Sequence, residues 1–298
     1  MEWAWVVFTL LAAAGQVARN AMQRSLTSTL GTVGATHVRF LYGLPFGLLF
    51  VTLICLTLGT APPAMNATSI GWTVVGAVAQ IVATALLLAA MQEKSFVIVT
   101  ALSKTEPVHV ALFSLVLLGE HLSTATTLAI LVATAGVLLM SWPQGGIGAA
   151  GGLTARPVLL GILSGAVFGL SAVGYRRGIV ALGDANFVLR ASATLALALT
   201  MQTIMLTAYL LATAPATLKA LFKAWRPSVL AGFMGAAASQ FWFLAFALET
   251  AAKVRTLALV EILYAGFISR KFFAQGVNVR EAAGILLVVV GVIVLLNQ

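Results

Sequence analysis

The sequence predicts an all-α integral membrane fold, with ten transmembrane helices arranged as two inverted five-helix repeats. Three observations carry that expectation. The chain of 298 residues is 61% hydrophobic and only 8% charged, against roughly 25% charged residues in soluble domains. Apolar stretches of about 20 residues, the length that crosses ~30 Å of hydrocarbon, follow one another with short polar joints. The pattern of the first half then recurs in the second at a near-constant offset.

Marking apolar runs between charges, Gly/Pro clusters and polar joints places spans near 3–22, 33–58, 70–91, 96–118, 123–141, 157–181, 186–212, 228–248, 252–269 and 281–297. Pro62-Pro63, the Gly- and Pro-rich stretch 142–152 and the segment 219–227 read as loops. The first five-helix unit covers 1–145, a linker covers 146–156, and the second unit covers 157–298. The opening residues, Met1-Glu2-Trp3-Ala4-Trp5, carry no basic stretch ahead of the apolar run, so the first span reads as retained rather than cleaved.

Loop charge sets the expected orientation. Of the 17 Lys and Arg residues, Arg19, Arg39, Lys104 and Arg190 fall within spans. Nine of the rest lie in odd-numbered joints: Arg24, Lys94, Arg156, Lys219, Lys223, Arg226, Arg270, Lys271 and Arg280. The even joints hold Arg176, Arg177, Lys253 and Arg255. The excess of positive charge places the odd joints in the cytoplasm and both termini outside. The expected location is a bacterial inner membrane, in a multi-pass protein. Because its charges are scattered singly and in pairs, the net +9 orients helices rather than binding nucleic acid. Trp3, Trp5, Trp72, Trp142 and Trp225 fall near span ends, as an interfacial aromatic belt would. Cys55 is the sole cysteine, which excludes an intrachain disulfide or a CxxC metal site.

Laying the fourth and fifth spans over the ninth and tenth without a gap gives an offset of 155. Glu106 falls on Glu261, His109 on Tyr264, Ser114 on Ser269, Glu120 on Gln275, Ala129 on Gly284 and Gly136 on Gly291. In the second and seventh spans Thr36–Phe40 answers Phe187–Ala191, which sets Arg39 against Arg190. A unit with an odd number of spans enters the membrane oppositely the second time. Carriers built this way hold substrate near the middle of the membrane, between the repeats.

The run Thr105-Glu106-Pro107-Val108-His109, continuing through Ser114 to Gly119-Glu120, resembles the fourth-span signature of EamA-type members of the drug/metabolite transporter superfamily. Gly136 in the fifth span and the arginines Arg39 and Arg190 continue the likeness over essentially the whole chain. The second half departs from it, since Ile262 follows Glu261 and Ala274-Gln275 replaces Gly-Glu. The Gly-Glu role is therefore carried only to Glu120, which could also cap the following helix. The resemblance implies a ten-helix secondary carrier, commonly an exporter of amino acids or other metabolites. Uptake of a nutrient or vitamin, and export of multiple drugs or cations, are the alternatives within the family.

A charge in the bilayer interior costs ~2.5–3.5 kcal/mol on insertion scales, so each needs a partner, a wet cavity or a role. Glu106 and His109 share a helix face, and Glu261 and Tyr264 repeat the relation. The acids either line a cavity, binding a substrate amine or coupling to protons, or pair structurally with Arg39, Arg190 or Lys104. Gln16, Arg19, Asn20 and Gln23 form a polar stripe on the first span, with Arg19 close enough to the span end to snorkel. Gln80, Ser239 and Gln240 add uncharged polar groups, and Trp242 is either a stacking surface or a packing or lipid-facing residue. The surplus of interior positive charge favours a zwitterionic or anionic small molecule over a simple cation. The lone aspartate, Asp184, excludes an aspartyl dyad, and His37, His109 and His121 form no HExxH motif. The chain also has no nucleotide-binding glycine motif, so neither an enzyme nor a cofactor is expected. Two complete halves suit a functional monomer.

Overall fold

The computed structural model describes residues 3–93, 96–141, 155–261, 264 and 279–297, and its described elements are all helical. The predicted linker falls almost wholly outside the described residues. So do Lys94, Trp142, Ser269, Arg270, Lys271 and Gln275.

Helix α1 spans Ala4–Leu41 and contains one break, at Gly31 with φ 68° and ψ 176°. A side chain would strain that backbone, so glycine sets where the first apolar segment stops. Residues 23–30, a joint by sequence, are instead helical. Gln23, Leu26 and Leu30 recur at helical spacing and are buried, while Arg24, Ser25 and Ser28 face outward. Helix α2 (Leu44–Leu58) starts after a turn at Tyr42 and Gly43, with Pro45 in its first turn. The predicted second span is therefore bent.

Helix α3 (Ala67–Glu93) is followed by α4 (Phe96–Ser103) and α5 (Glu106–Leu118). These last two make up the predicted fourth span, which is not one helix. Pro107 in the first turn of α5 has no N–H and would clash with the carbonyl four residues earlier, and the chain breaks at Lys104 and Thr105. Gly119, in the left-handed conformation, closes α5, and Glu120 N donates to Ser114 O at 3.1 Å, a Schellman end. Helix α6 (Thr124–Ser141) is capped by Ser123, whose hydroxyl accepts from Thr126 N at 3.0 Å. That cap comes from Ser123, not from Glu120.

Helices α7 (Ala155–Val180) and α8 (Phe187–Thr213) follow. The expected loop at 219–227 is largely helical: α9 (Pro215–Lys223) buries Leu221 and exposes Lys219, Phe222 and Lys223, and α10 (Trp225–Leu248) begins almost at once. A proline at the first position and an amphipathic face make a helix where the charges alone suggest a loop. Helix α11 (Ala251–Leu257) passes into a 3-10 turn at Ala258–Val260, and α12 (Val279–Leu296) is the last described helix.

Seven described stretches are long and apolar enough to cross a membrane. One of them, Ala4–Leu58, has 55 residues, more than twice what a single crossing needs. The shorter apolar helix Thr124–Leu139 stands beside them. Three helix pairs pack most extensively, α1 with α10, α3 with α7 and α6 with α12, and α5 with α7, α8 with α10 and α2 with α8 follow. Small residues let backbones approach, as expected where lipid offers no hydrophobic drive between helices. A Cβ on Gly136 would lie 2.6 Å from Gly284 O, and one on Gly174 would lie 2.9 Å from Gly76 N. Tyr175, Trp242, Phe243 and Phe246 fill the largest core.

Candidate functional site

The two interrupted helices meet in the interior of the bundle. In α4 and α5 the interruption immediately precedes Glu106; in α11 the 3-10 turn immediately precedes Glu261. Each glutamate enters an ion pair with a cation from the other interrupted segment. Lys104 Nζ lies 2.6 Å from Glu261 Oε1, and Arg255 Nε lies 3.0 Å from Glu106 Oε1. All four side chains are buried, with Glu261 only 1% exposed. Glu106 also stands in the first turn of α5, where the positive end of the helix favours an anion.

The first helix supplies the next layer. Gln16 donates through Nε2 to Glu261 Oε2 at 3.2 Å and accepts at Oε1 from Trp242 Nε1 at 3.1 Å. Trp242 is buried rather than lipid-facing, and the Arg255 guanidinium lies 4.2 Å from its ring centroid, a desolvated cation–π contact. Arg19 does not snorkel: it is buried, and its Nε and Nη2 donate to Asn20 Oδ1 at 3.2 and 2.7 Å. Gln23 donates to Ala35 O at 2.9 Å, tying the two segments of α1 across the Gly31 break.

Arg39 reaches the same region from the second segment of α1, donating to Ser239 Oγ at 3.2 Å and Thr84 Oγ1 at 3.5 Å. Arg19 and Arg39 both pass over Gly235 of α10, where an added Cβ would be 3.1 Å from Arg39 Cγ and 3.4 Å from Arg19 Cδ. Arg19 stands within electrostatic reach of Arg39, Arg255, Glu106 and Glu261. Beside Arg39, Gln80 Oε1 accepts from Tyr175 Oη at 3.1 Å and from Gln202 Nε2 at 2.9 Å.

Other sequence candidates lie apart from this cluster. Arg190 sits one turn inside α8, half-buried, and donates through Nη1 to Gly183 O at 2.6 Å. Unlike Arg39, it stands outside the buried cluster. His109 is half-buried, with Nδ1 2.9 Å from Thr105 O, so it braces the break beside Glu106. Gln240 donates to Ser192 Oγ at 2.8 Å. Tyr264 is half-buried against the main core.

Sequence reasoning placed Arg255 among the loop charges, yet it is 5% exposed and pairs with Glu106. Its signal was its place just inside the predicted span 252–269, six residues ahead of Glu261. Tyr175 and Gln202 are further members of this polar interior, and the clue to the second was that it is the one amide side chain in α8. A cavity of about 470 Å³ opens elsewhere, between α1, α3 and α8, lined by Thr32, Val33, Ile81, Ala85, Leu206 and Tyr209 among others. Its walls are almost wholly apolar and hold none of the charged residues, so it does not match a polar solute.

A solved crystal structure, 16% identical in sequence, superposes with a TM-score of 0.68 over 97% of this chain and 95% of its own, a likeness of fold. No curated protein matches the sequence. Residues 3–142, which contain the stripe of α1, Arg39 and the Glu106 break, match the EamA-like transporter family. Through that match residues 3–142, the first half of the chain, belong to the EamA-like transporter family, within the drug/metabolite transporter superfamily.

Proposed function

We propose that the protein is a secondary carrier that moves a small zwitterionic or anionic metabolite, amino-acid-like in size, across the bacterial inner membrane by alternating access. The observation that carries this reading is the reciprocal pairing Lys104–Glu261 and Arg255–Glu106 between two interrupted helices. Interrupted helices with buried charge mark substrate sites in carriers, and interior charge in a membrane protein marks function before structure.

The architecture we propose is ten helices in two inverted five-helix halves, 1–145 and 157–298, joined by the 146–156 linker. The helix pairing supports it. Exchanging the halves turns the contact of α1 with α10 into that of α7 with α3, and returns α2 with α8 and α6 with α12 to themselves. The break before Glu106 and the 3-10 turn before Glu261 also coincide at the offset of 155. The Arg156–Glu93 ion pair at 3.2 Å and the Gln92–Thr32 hydrogen bond at 3.0 Å gather odd joints at one end of the bundle. Asn66, donating to Ala181 O at 2.6 Å, gathers even joints at the other. With Arg255 removed from the loop tally the charge bias strengthens, and it puts both termini outside.

Export is the direction the family resemblance favours. Glu106 and Glu261 are the groups through which protons would couple, because protonation cancels the attraction that holds each cation. Both halves lie in one chain, which suits a monomer. The test is flux in reconstituted vesicles under set gradients, with amino acids and small organic anions against empty vesicles. Saturable flux that is lost in Glu106→Gln supports the carrier, and its absence for every solute in both directions would overturn it.

A further inference from the structure

The interior charges do not cancel. Arg19, Arg39, Lys104 and Arg255 are each 5% exposed or less and face two buried carboxylates, Glu106 and Glu261. Lys104 and Arg255 neutralise both acids. Arg19 and Arg39 are left with neutral partners only, Asn20 for one and Ser239 and Thr84 for the other. Arg19 Nη1 and Arg39 Nε have no hydrogen-bond partner among the described residues. Two positive charges therefore stay uncompensated, on side chains that cross the same glycine.

We infer that this centre takes a dianion, a dicarboxylate or a phosphate monoester, with its anionic oxygens on Arg19 and Arg39. The inference rests on the carrier reading above and narrows its substrate class. A zwitterion would need a free carboxylate for its ammonium group, and both interior acids already hold cations. A guanidinium presents paired donors in a plane that matches carboxylate and phosphate oxygens. A solute of charge −2 brings the centre to neutrality and satisfies the two open donors together. Gly235 eases the arrangement, because a Cβ there would press on the Arg39 stem at 3.1 Å and touch that of Arg19 at 3.4 Å.

The test is thermal melting of the full chain in detergent, titrated with succinate or glycerol 3-phosphate as dianions, lactate as a monoanion and glutamine as a zwitterion, at matched ionic strength. The expected result is saturable stabilisation by a dianion above that by lactate or glutamine. Half-saturation should move upward about tenfold to a hundredfold in Arg19→Gln and in Arg39→Gln, the loss of a hydrogen bond to a charged group. Gly235→Ala keeps every charge and both ion pairs but crowds the Arg39 stem, and it should weaken dianion binding as well, which covers the case in which an arginine variant does not fold. Equal or stronger stabilisation by glutamine overturns the proposal. So does a dianion response unchanged in Gly235→Ala and the folded arginine variants, or no response to either dianion. Flux distinguishes this failure from failure of the carrier reading: glutamine flux without dianion binding removes only the dianion, whereas dianion binding without flux of any solute removes the carrier and leaves the site.

Discussion

Lys104 Nζ stands 2.6 Å from Glu261 Oε1, joining the break in the fourth apolar segment to the residue that follows the 3-10 turn of the ninth. The Arg255–Glu106 pair returns the connection in the opposite sense at 3.0 Å. Each acid is thus held by the other half of the chain, so separating the halves on one side of the membrane strains both pairs at once.

That reciprocity predicts strong coupling between partners. Removing one member of a buried pair leaves an unpaired charge and costs about 3–5 kcal/mol, whereas replacing both can be nearly neutral. Lys104→Met and Glu261→Gln should each lower the melting temperature clearly, and the double variant should melt closer to wild type than either. Additive losses in a double-mutant cycle would show that the two groups are not energetically paired.

The contact of α6 with α12 makes a steric prediction. A Cβ on Gly136 would lie 2.6 Å from Gly284 O and 2.8 Å from Leu287 Cβ, atoms that belong to a backbone and a packed stem. Gly136→Leu should destabilise by about 1–3 kcal/mol or more, the usual cost of overpacking. Gly71→Leu is the control, since its Cβ would meet nothing within 4 Å. Equal melting of the two variants would contradict the close helix contact.

The parts of this fold legible in sequence are those that rest on one residue's local chemistry. Apolar length marks most of the helices and the offset of 155 sets Glu106 against Glu261, whereas the continuous apolar run 96–118 hid the break that Pro107 makes. Gln16, Arg19, Asn20 and Gln23 announce their buried face by spacing alone. What stayed hidden depends on tertiary packing. Arg255 follows Lys253 near the start of a segment and looks like loop charge until Trp242 and Glu106 close over it. The 3-10 turn at Ala258–Val260 has no proline to announce it. Helix α9 carries lysines that mask the buried Leu221, and Arg190 matches Arg39 in the repeat but is half-buried and turned to Gly183 O in the preceding turn.

Orientation can be read directly from labelling. In a Cys55→Ala background, the variant Lys219→Cys places a thiol on the exposed face of α9, and Asp184→Cys places one in the turn before α8. With odd joints cytoplasmic, a membrane-impermeant maleimide applied to intact spheroplasts should label the thiol at 184 and spare the one at 219 until the membrane is opened. The reverse pattern would invert the topology without changing the fold.

The polar contact between α3, α7 and α8 predicts an order of effects. Tyr175 Oη donates to Gln80 Oε1 at 3.1 Å and accepts from Gln202 Nε2 at 3.0 Å, while Gln202 Nε2 also reaches Gln80 Oε1 at 2.9 Å and Ala77 O at 3.2 Å. Tyr175→Phe removes the hydroxyl but leaves Gln202 bonded to Gln80 and Ala77, so no amide donor is orphaned there and the loss should be about 1 kcal/mol. Gln80→Leu instead deletes the acceptor that both neighbours use and leaves the buried tyrosine O–H without its acceptor, although the oxygen still accepts from Gln202, and an unsatisfied buried donor costs up to about 3 kcal/mol. Melting should therefore fall further in Gln80→Leu than in Tyr175→Phe. An inverted order would mean that the hydroxyl acts chiefly through a partner other than Gln80, since phenylalanine keeps the ring that packs against Phe243 at 4.5 Å between centroids and leaves Gly76 no room for a side chain.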